Sequence, residues 1–97
     1  MHKDAVLLAL KEHGDELVSE FALASLRLFG SVARDEGLAG SDVDLLVSFR
    51  GEISFRRFMQ LKFRLEEILG MPVDLITETG LKPAVRPHVE RDAIRVA

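Results

Sequence analysis

The sequence predicts an α+β protein in which helices cover mainly one face of a small sheet. Two observations carry this. Helical and two-residue apolar periodicities follow one another in the order α-β-α-β-α-β-α. The 97 residues are just enough for one core of two packed layers, so residues 1–97 are expected to form a single domain. The composition, 47% hydrophobic and 30% charged, is that of an ordinary globular chain.

From Lys3 to His13, Val6, Leu7 and Leu10 recur at helical spacing, and Gly14 is placed to stop that helix. Asp15 to Phe21 adds a further helical turn or two. Ser25 to Phe29 reads as a short strand ended by Gly30, Ser31 to Glu36 as one helical turn, and Gly37 to Ser41 as a surface loop. Val43 to Phe49 is the strongest strand: Val43, Leu45, Val47 and Phe49 share one face, and Asp42, Asp44, Leu46 and Ser48 share the other. Ser54 can cap a helix running to Leu69, with Phe58, Leu61, Leu65, Ile68 and Leu69 as its buried stripe. Gly70 ends it and Pro72 prevents its continuation. Val73 to Thr77 is a third strand. Pro87 suits the first turn of a short helix over His88 to Asp92, and Ala93 to Val96 forms a final edge strand.

Charge and composition exclude several classes of function. A formal net charge of −3 leaves no broad basic surface, so direct nucleic-acid binding is not expected. A nucleotide remains possible, because metal ions can carry positive charge locally. Without cysteine there are no disulfides, thiolate metal sites or cysteine nucleophiles. The apolar run from Ala5 to Leu10 is too short for a signal peptide and no stretch approaches a membrane span, so a cytoplasmic protein is expected. His2, His13 and His88 have no zinc-ligand spacing. Arg56, Arg57, Lys62 and Arg64 read as a solvated helix face balanced by Glu66 and Glu67. Phe55, Phe58 and Phe63 read as packing residues, with Phe63 off the main stripe and available for a dimer or partner surface.

The chemistry concentrates in three short segments. Gly30 allows a sharp turn and close approach, and the Ser31 hydroxyl and the amides after it can face an anion. A lone Gly-Ser is more often a plain strand-to-helix turn. What gives it weight is Asp42-Val43-Asp44, beginning eleven residues after Ser31. Residues separated by one position on a strand project to the same side, and two such carboxylates repel unless a cation lies between them. Asp44 is flanked by Val43 and Leu45, where an unpaired charge is costly. Asp74 stands between Val73 and Leu75 in another strand. If the two strands are neighbours, Asp42, Asp44 and Asp74 converge and can hold two Mg²⁺ ions about 3.5–4 Å apart, the arrangement that clamps both oxygens of an in-line phosphoryl displacement. Asp74 would then be near an attacking hydroxyl and able to accept its proton. Arg34 suits a phosphate oxygen, and equally suits pairing with Glu36 or with one of the aspartates.

Gly30-Ser31-Val32-Ala33-Arg34, Ser41-Asp42-Val43-Asp44-Leu45 and Val73-Asp74-Leu75 together resemble the minimal nucleotidyltransferases (MNT) of the DNA-polymerase-β-like superfamily. The similarity runs over nearly the whole chain, including the leading helix and Arg86-Pro87. It implies a nucleotidyltransferase fold with a mixed sheet, and transfer of a nucleoside monophosphate from an NTP, by family habit ATP, to an acceptor hydroxyl. It further implies that Asp42 and Asp44 bind the metals, that Asp74 completes the catalytic triad, and that Gly30 and Ser31 hold the triphosphate. Asp35 departs from the pattern, since many relatives have glycine there.

Superfamily members that modify antibiotics or tRNA hold the acceptor on a further domain, for which this chain has no residues to spare. The acceptor is therefore expected at a surface, in a second subunit of a homodimer, or on a partner. The resemblance extends to MNT antitoxins, which are paired with a HEPN-family RNase toxin and can adenylylate it on tyrosine. The chain contains no tyrosine, so a tyrosine target lies on another molecule. Two readings follow: an enzyme transferring AMP to a HEPN toxin, and a non-catalytic antitoxin or assembly subunit that neutralises its partner by direct binding.

Overall fold

A computed structural model describes residues 2–36 and 42–97. The expected loop from Gly37 to Ser41 lies outside the described residues. In chain order the elements are α1 (Lys3–Glu12), α2 (Gly14–Phe21), β1 (Leu23–Phe29), α3 (Gly30–Ala33), β2 (Val43–Phe49), α4 (Phe55–Leu69), β3 (Val73–Thr77), a 3₁₀ turn (Glu78–Gly80), α5 (Arg86–Asp92) and β4 (Ile94–Arg95). The alternation expected from periodicity is present. Gly14 opens α2 rather than closing α1, and β1 starts at Leu23, two residues before the expected Ser25. Ala22, in a left-handed conformation at φ 54°, turns the chain from α2 into that strand.

The strands form one mixed sheet in the order β3-β2-β1-β4, with β1 antiparallel to both neighbours and β2 parallel to β3. A parallel pair needs a crossover, and α4 supplies it. Its start is fixed by Ser54, whose hydroxyl accepts from the Arg57 amide at 3.1 Å. Its end is fixed by Gly70 at φ 68°, whose amide donates to the Glu66 carbonyl. Glu66 then accepts from the Val73 amide at 2.9 Å, tying the helix end to the start of β3.

The two sheet faces differ. Leu26 and Leu28 of β1, Val43, Leu45 and Val47 of β2, and Val73 and Leu75 of β3 form one apolar face under α1, α2 and α4, where they meet Val6, Leu10, Leu17, Leu61 and Leu65. Burying each such side chain contributes roughly 1.5–3 kcal/mol. On the opposite face Leu46 is fully buried by Leu81 and Val89. Alternation alone places Leu46 on the polar side of β2; α5 and the segment before it cover it. Phe58 packs on the core as expected, and Phe63, off the main stripe, is exposed at 57%; Phe55, expected to pack, is exposed at 78%.

Nor is the basic run of α4 simply solvated. Arg57 lies over the Phe21 ring at 4.7 Å and donates to the Glu20 carbonyl, while Arg64 pairs with Glu16 and Glu67. These contacts clip α4 to α2. No described helix is long and apolar enough to cross a membrane.

The Ser54 cap gives a direct test. Ser54→Ala is expected to lower unfolding stability by about 1 kcal/mol in urea titration, and Ser54→Gly by only a few tenths.

Candidate active site

The register between strands builds the site. Phe29 of β1 is paired with Asp44 of β2, and Asp44 with Asp74 of β3, so one row across the sheet brings the two carboxylates side by side. They lie on the face that also carries Leu46, near the start of β2 and β3 and the end of β1. Asp42, just before β2, is exposed; Asp44 is half-buried; Asp74, on the edge strand, is exposed.

Gly30 follows Phe29 with φ 75°. A methyl group built on it would overlap Asp44 Oδ2 and lie 3.0 Å from Asp44 Cγ. The sequence suggests that glycine leaves room for a ligand. In the structure that room is first taken by the Asp44 carboxylate, so the Gly30-Ser31 turn and the acid strand are packed together. Ser31 lies beside Gly30 in the opening turn of α3.

Asp44 is held protonated well beyond the usual carboxylate range, up to about 6. Burial is the leading cause, followed by the negative charges of Asp74 and Asp42; hydrogen bonding with Asp74 adds to it, and Arg34 opposes it. Arg34 is already engaged. Its Nε donates to Glu36 Oε2 and its Nη1 to Asp92 Oδ2, both at 3.1 Å. The Glu36 pairing is one of the alternatives open to Arg34 from sequence; the Asp92 pairing depends on α5 packing beside α3.

Asp35 does not face the acids. It adopts φ 59°, which accounts for glycine being common at such a position. Its Oδ1 accepts from the Lys3 amide at 3.3 Å, so it serves the open N-terminus of α1.

The donor chemistry of the acids fits a divalent cation: hard oxygens, gathered so that each raises the electrostatic cost of the next. Among the described residues, no group of three or more His, Cys, Asp or Glu side chains forms a ready-made metal cage. An ion held here therefore takes part of its shell from water or a ligand's oxygens, as Mg²⁺ commonly does.

Residues 10–96 match the family model described as a nucleotidyltransferase domain. The chain belongs to this family, and is a nucleotidyltransferase. Among its relatives, the protein adenylyltransferase MntA of Thermococcus cleftensis is 37% identical over 87 residues, covering 90% of this chain and 88% of its own length. A solved structure assigned as a minimal nucleotidyltransferase superposes with a TM-score of 0.82 at 39% identity, covering 97% of this chain and 95% of the other. The MNT antitoxin solved with a tri-AMPylated HEPN toxin of Shewanella oneidensis shares the fold, with a TM-score of 0.68 at 17% identity over 94% of this chain and 71% of the other.

Arg27, a charged group on the same face as the acids, is not among the residues that the sequence motifs single out. Arg27 projects from the acid-bearing face two residues before Phe29 and pairs with Glu78 of the 3₁₀ turn and Glu90 of α5. A charge between Leu26 and Leu28 within a strand was the available signal, the same kind that singles out Asp44.

Two predictions follow from this geometry. Gly30→Ala is expected to cost about 1–2 kcal/mol or more from its positive φ and the overlap with Asp44, and less in an Asp44→Ala background. A double-mutant cycle by chemical denaturation measures that coupling, expected above about 0.5 kcal/mol. The second concerns pH. Folding raises the affinity of Asp44 for its proton, so without metal the folded state binds more protons than the unfolded chain between about pH 4 and 6. Stability contributed by that proton is complete below the window and lost as pH rises through it. Asp44→Asn is expected to flatten this slope and to stabilise the metal-free protein at pH 7, by on the order of 1–2 kcal/mol after allowance for solvent screening.

Proposed function

We propose that this nucleotidyltransferase moves AMP from ATP to a hydroxyl of a partner protein, as the antitoxin of a HEPN-family toxin. The observation that carries the chemistry is the Asp44–Asp74 pairing beside Gly30. The partner class rests on kinship: a relative bears the name protein adenylyltransferase MntA, and a chain of the same fold was solved with an AMPylated HEPN toxin.

In this reading Gly30 and Ser31 hold the triphosphate, with Arg34 on the rim of the nucleotide site. Asp42 and Asp44 hold Mg²⁺, with Asp74 completing the set for a second ion. When bound, Mg²⁺ supplies charge neutralisation of the triphosphate and of the leaving pyrophosphate. Half-burial of Asp44 keeps its carboxylate oriented and its charge poorly solvated, so it favours a cationic partner over water. Asp74 is exposed on the edge strand, where a macromolecular hydroxyl can reach it. Its carboxylate accepts the hydroxyl proton as the acceptor oxygen bonds to the α-phosphorus and the bond from that phosphorus to the bridging oxygen breaks. Pyrophosphate leaves with that oxygen.

The test is incubation with α-labelled ATP, Mg²⁺ and the product of the neighbouring gene. Label is expected on the partner, and Asp42→Asn/Asp44→Asn and Asp74→Asn are each expected to reduce transfer by at least 10²-fold without loss of helical signal. Asp44→Ala with unchanged transfer would remove the metal assignment. Neutralisation of the partner by the double variant, without any label, would favour an antitoxin that acts by contact alone.

A further inference from the structure

A pocket of about 190 Å³ opens beside Gly30, between α3 and α5. Phe29, Val85 and Val89 give it apolar walls, and Arg34 and Asp92 stand at its polar side. It continues the acid-bearing face of the sheet past Gly30, on the side away from Asp74, because β1 carries Phe29 and the edge strand β3 carries Asp74. Small-molecule sites usually span about 300–1,000 Å³, so this one suits a single flat ring system rather than a whole nucleotide.

Its charges argue against a phosphate as occupant. Arg34 and His88 are the basic side chains lining it; the Arg34 guanidinium, the one permanent cation among them, is already bonded to both Glu36 and Asp92. With two carboxylates on it, the Arg34 guanidinium has no charge to spare for an anion, and Asp92 offers an acceptor to a hydrogen-bond donor. Asp92 is half-buried and gives Oδ2 to Arg34, and an ionised carboxylate has about four acceptor sites, so it retains capacity for another donor. An aromatic ring with an N–H₂ group on its edge satisfies both the apolar walls and that acceptor.

Resting on the nucleotide site of the preceding section, we propose that this pocket seats the nucleobase, and that Asp92 selects a base with an exocyclic amine. The triphosphate then lies at Gly30-Ser31 and the ring passes over Phe29 towards Val85 and Val89. Adenine meets Asp92 with its N6 amine. Hypoxanthine, the same size but with a carbonyl there, presents an acceptor to an acceptor. An amine donor facing a carboxylate, against two opposed acceptors, is the kind of mismatch that discriminates strongly.

The experiment uses the full chain with Mg²⁺ and three probes: ATP, ITP and inorganic tripolyphosphate. Dissociation constants are measured by calorimetry, and contacts by NOEs between the adenine H2 and H8 protons and the Val85 and Val89 methyl groups. ATP is expected to bind on the order of tenfold or more tighter than ITP. The NOEs are expected to be present, and Asp92→Asn, which can donate as well as accept, is expected to bring ATP and ITP within about twofold of each other. If ATP and tripolyphosphate both bind but the NOEs are absent, the pocket assignment is overturned while the phosphate site stands. NOEs with equal ATP and ITP affinity in the unaltered protein would overturn the role of Asp92. If neither ATP nor tripolyphosphate binds, the nucleotide site itself is lost, and this inference with it.

Discussion

The arrangement turns on the contact between Gly30 and the Asp44 carboxylate. Only a residue without a side chain lets Asp44 lie where it does, and only a positive φ lets the chain leave β1 there. That contact fixes the turn against the acid strand, so a phosphate held at Gly30 and a cation held at Asp44 would be neighbours from the outset. Catalysis by positioning requires such preorganisation, since little covalent chemistry is asked of the protein in phosphoryl transfer.

The rest of the fold supports this contact from both sides. Under the sheet, the apolar face of β1, β2 and β3 rests on α1, α2 and α4, which fixes the strand register and hence the row Phe29–Asp44–Asp74. Above it, Arg27 draws Glu78 and Glu90 together and Val89 covers Leu46, so α5 is held over the same face. Helix α5 brings Asp92 to Arg34. Arg27 and Arg34 each have carboxylate partners, whereas the charges that bear most on Asp44 are those of the neighbouring acids Asp74 and Asp42.

Much of this was legible in the residues. Strand β3 and helix α4, with its Ser54 and Gly70 caps, fall where the periodicity and turn chemistry put them, because local rules decide those elements. Asp44 and Asp74 stood out as acids inside apolar strands, and the β2–β3 pairing that joins them was an open condition which the register meets. Other features depend on contacts distant in sequence. Nothing local to Leu46 says that α5 will cover it, nothing near Arg34 reveals Asp92, and nothing near Asp35 points to the start of α1. The tight fit of Gly30 on Asp44 is likewise tertiary: glycine there was legible, and what it makes room for was not.

Under the proposed function, Asp44 takes up a cation in place of its proton, beside the Gly30-Ser31 turn. Its side-chain carboxyl can be followed directly by ¹³C NMR across pH, with and without Mg²⁺. A titration midpoint near 6 is expected in the metal-free protein, moving to lower pH when Mg²⁺ is added, as the cation replaces the proton. A midpoint at the ordinary aspartate value that Mg²⁺ leaves unmoved would contradict it.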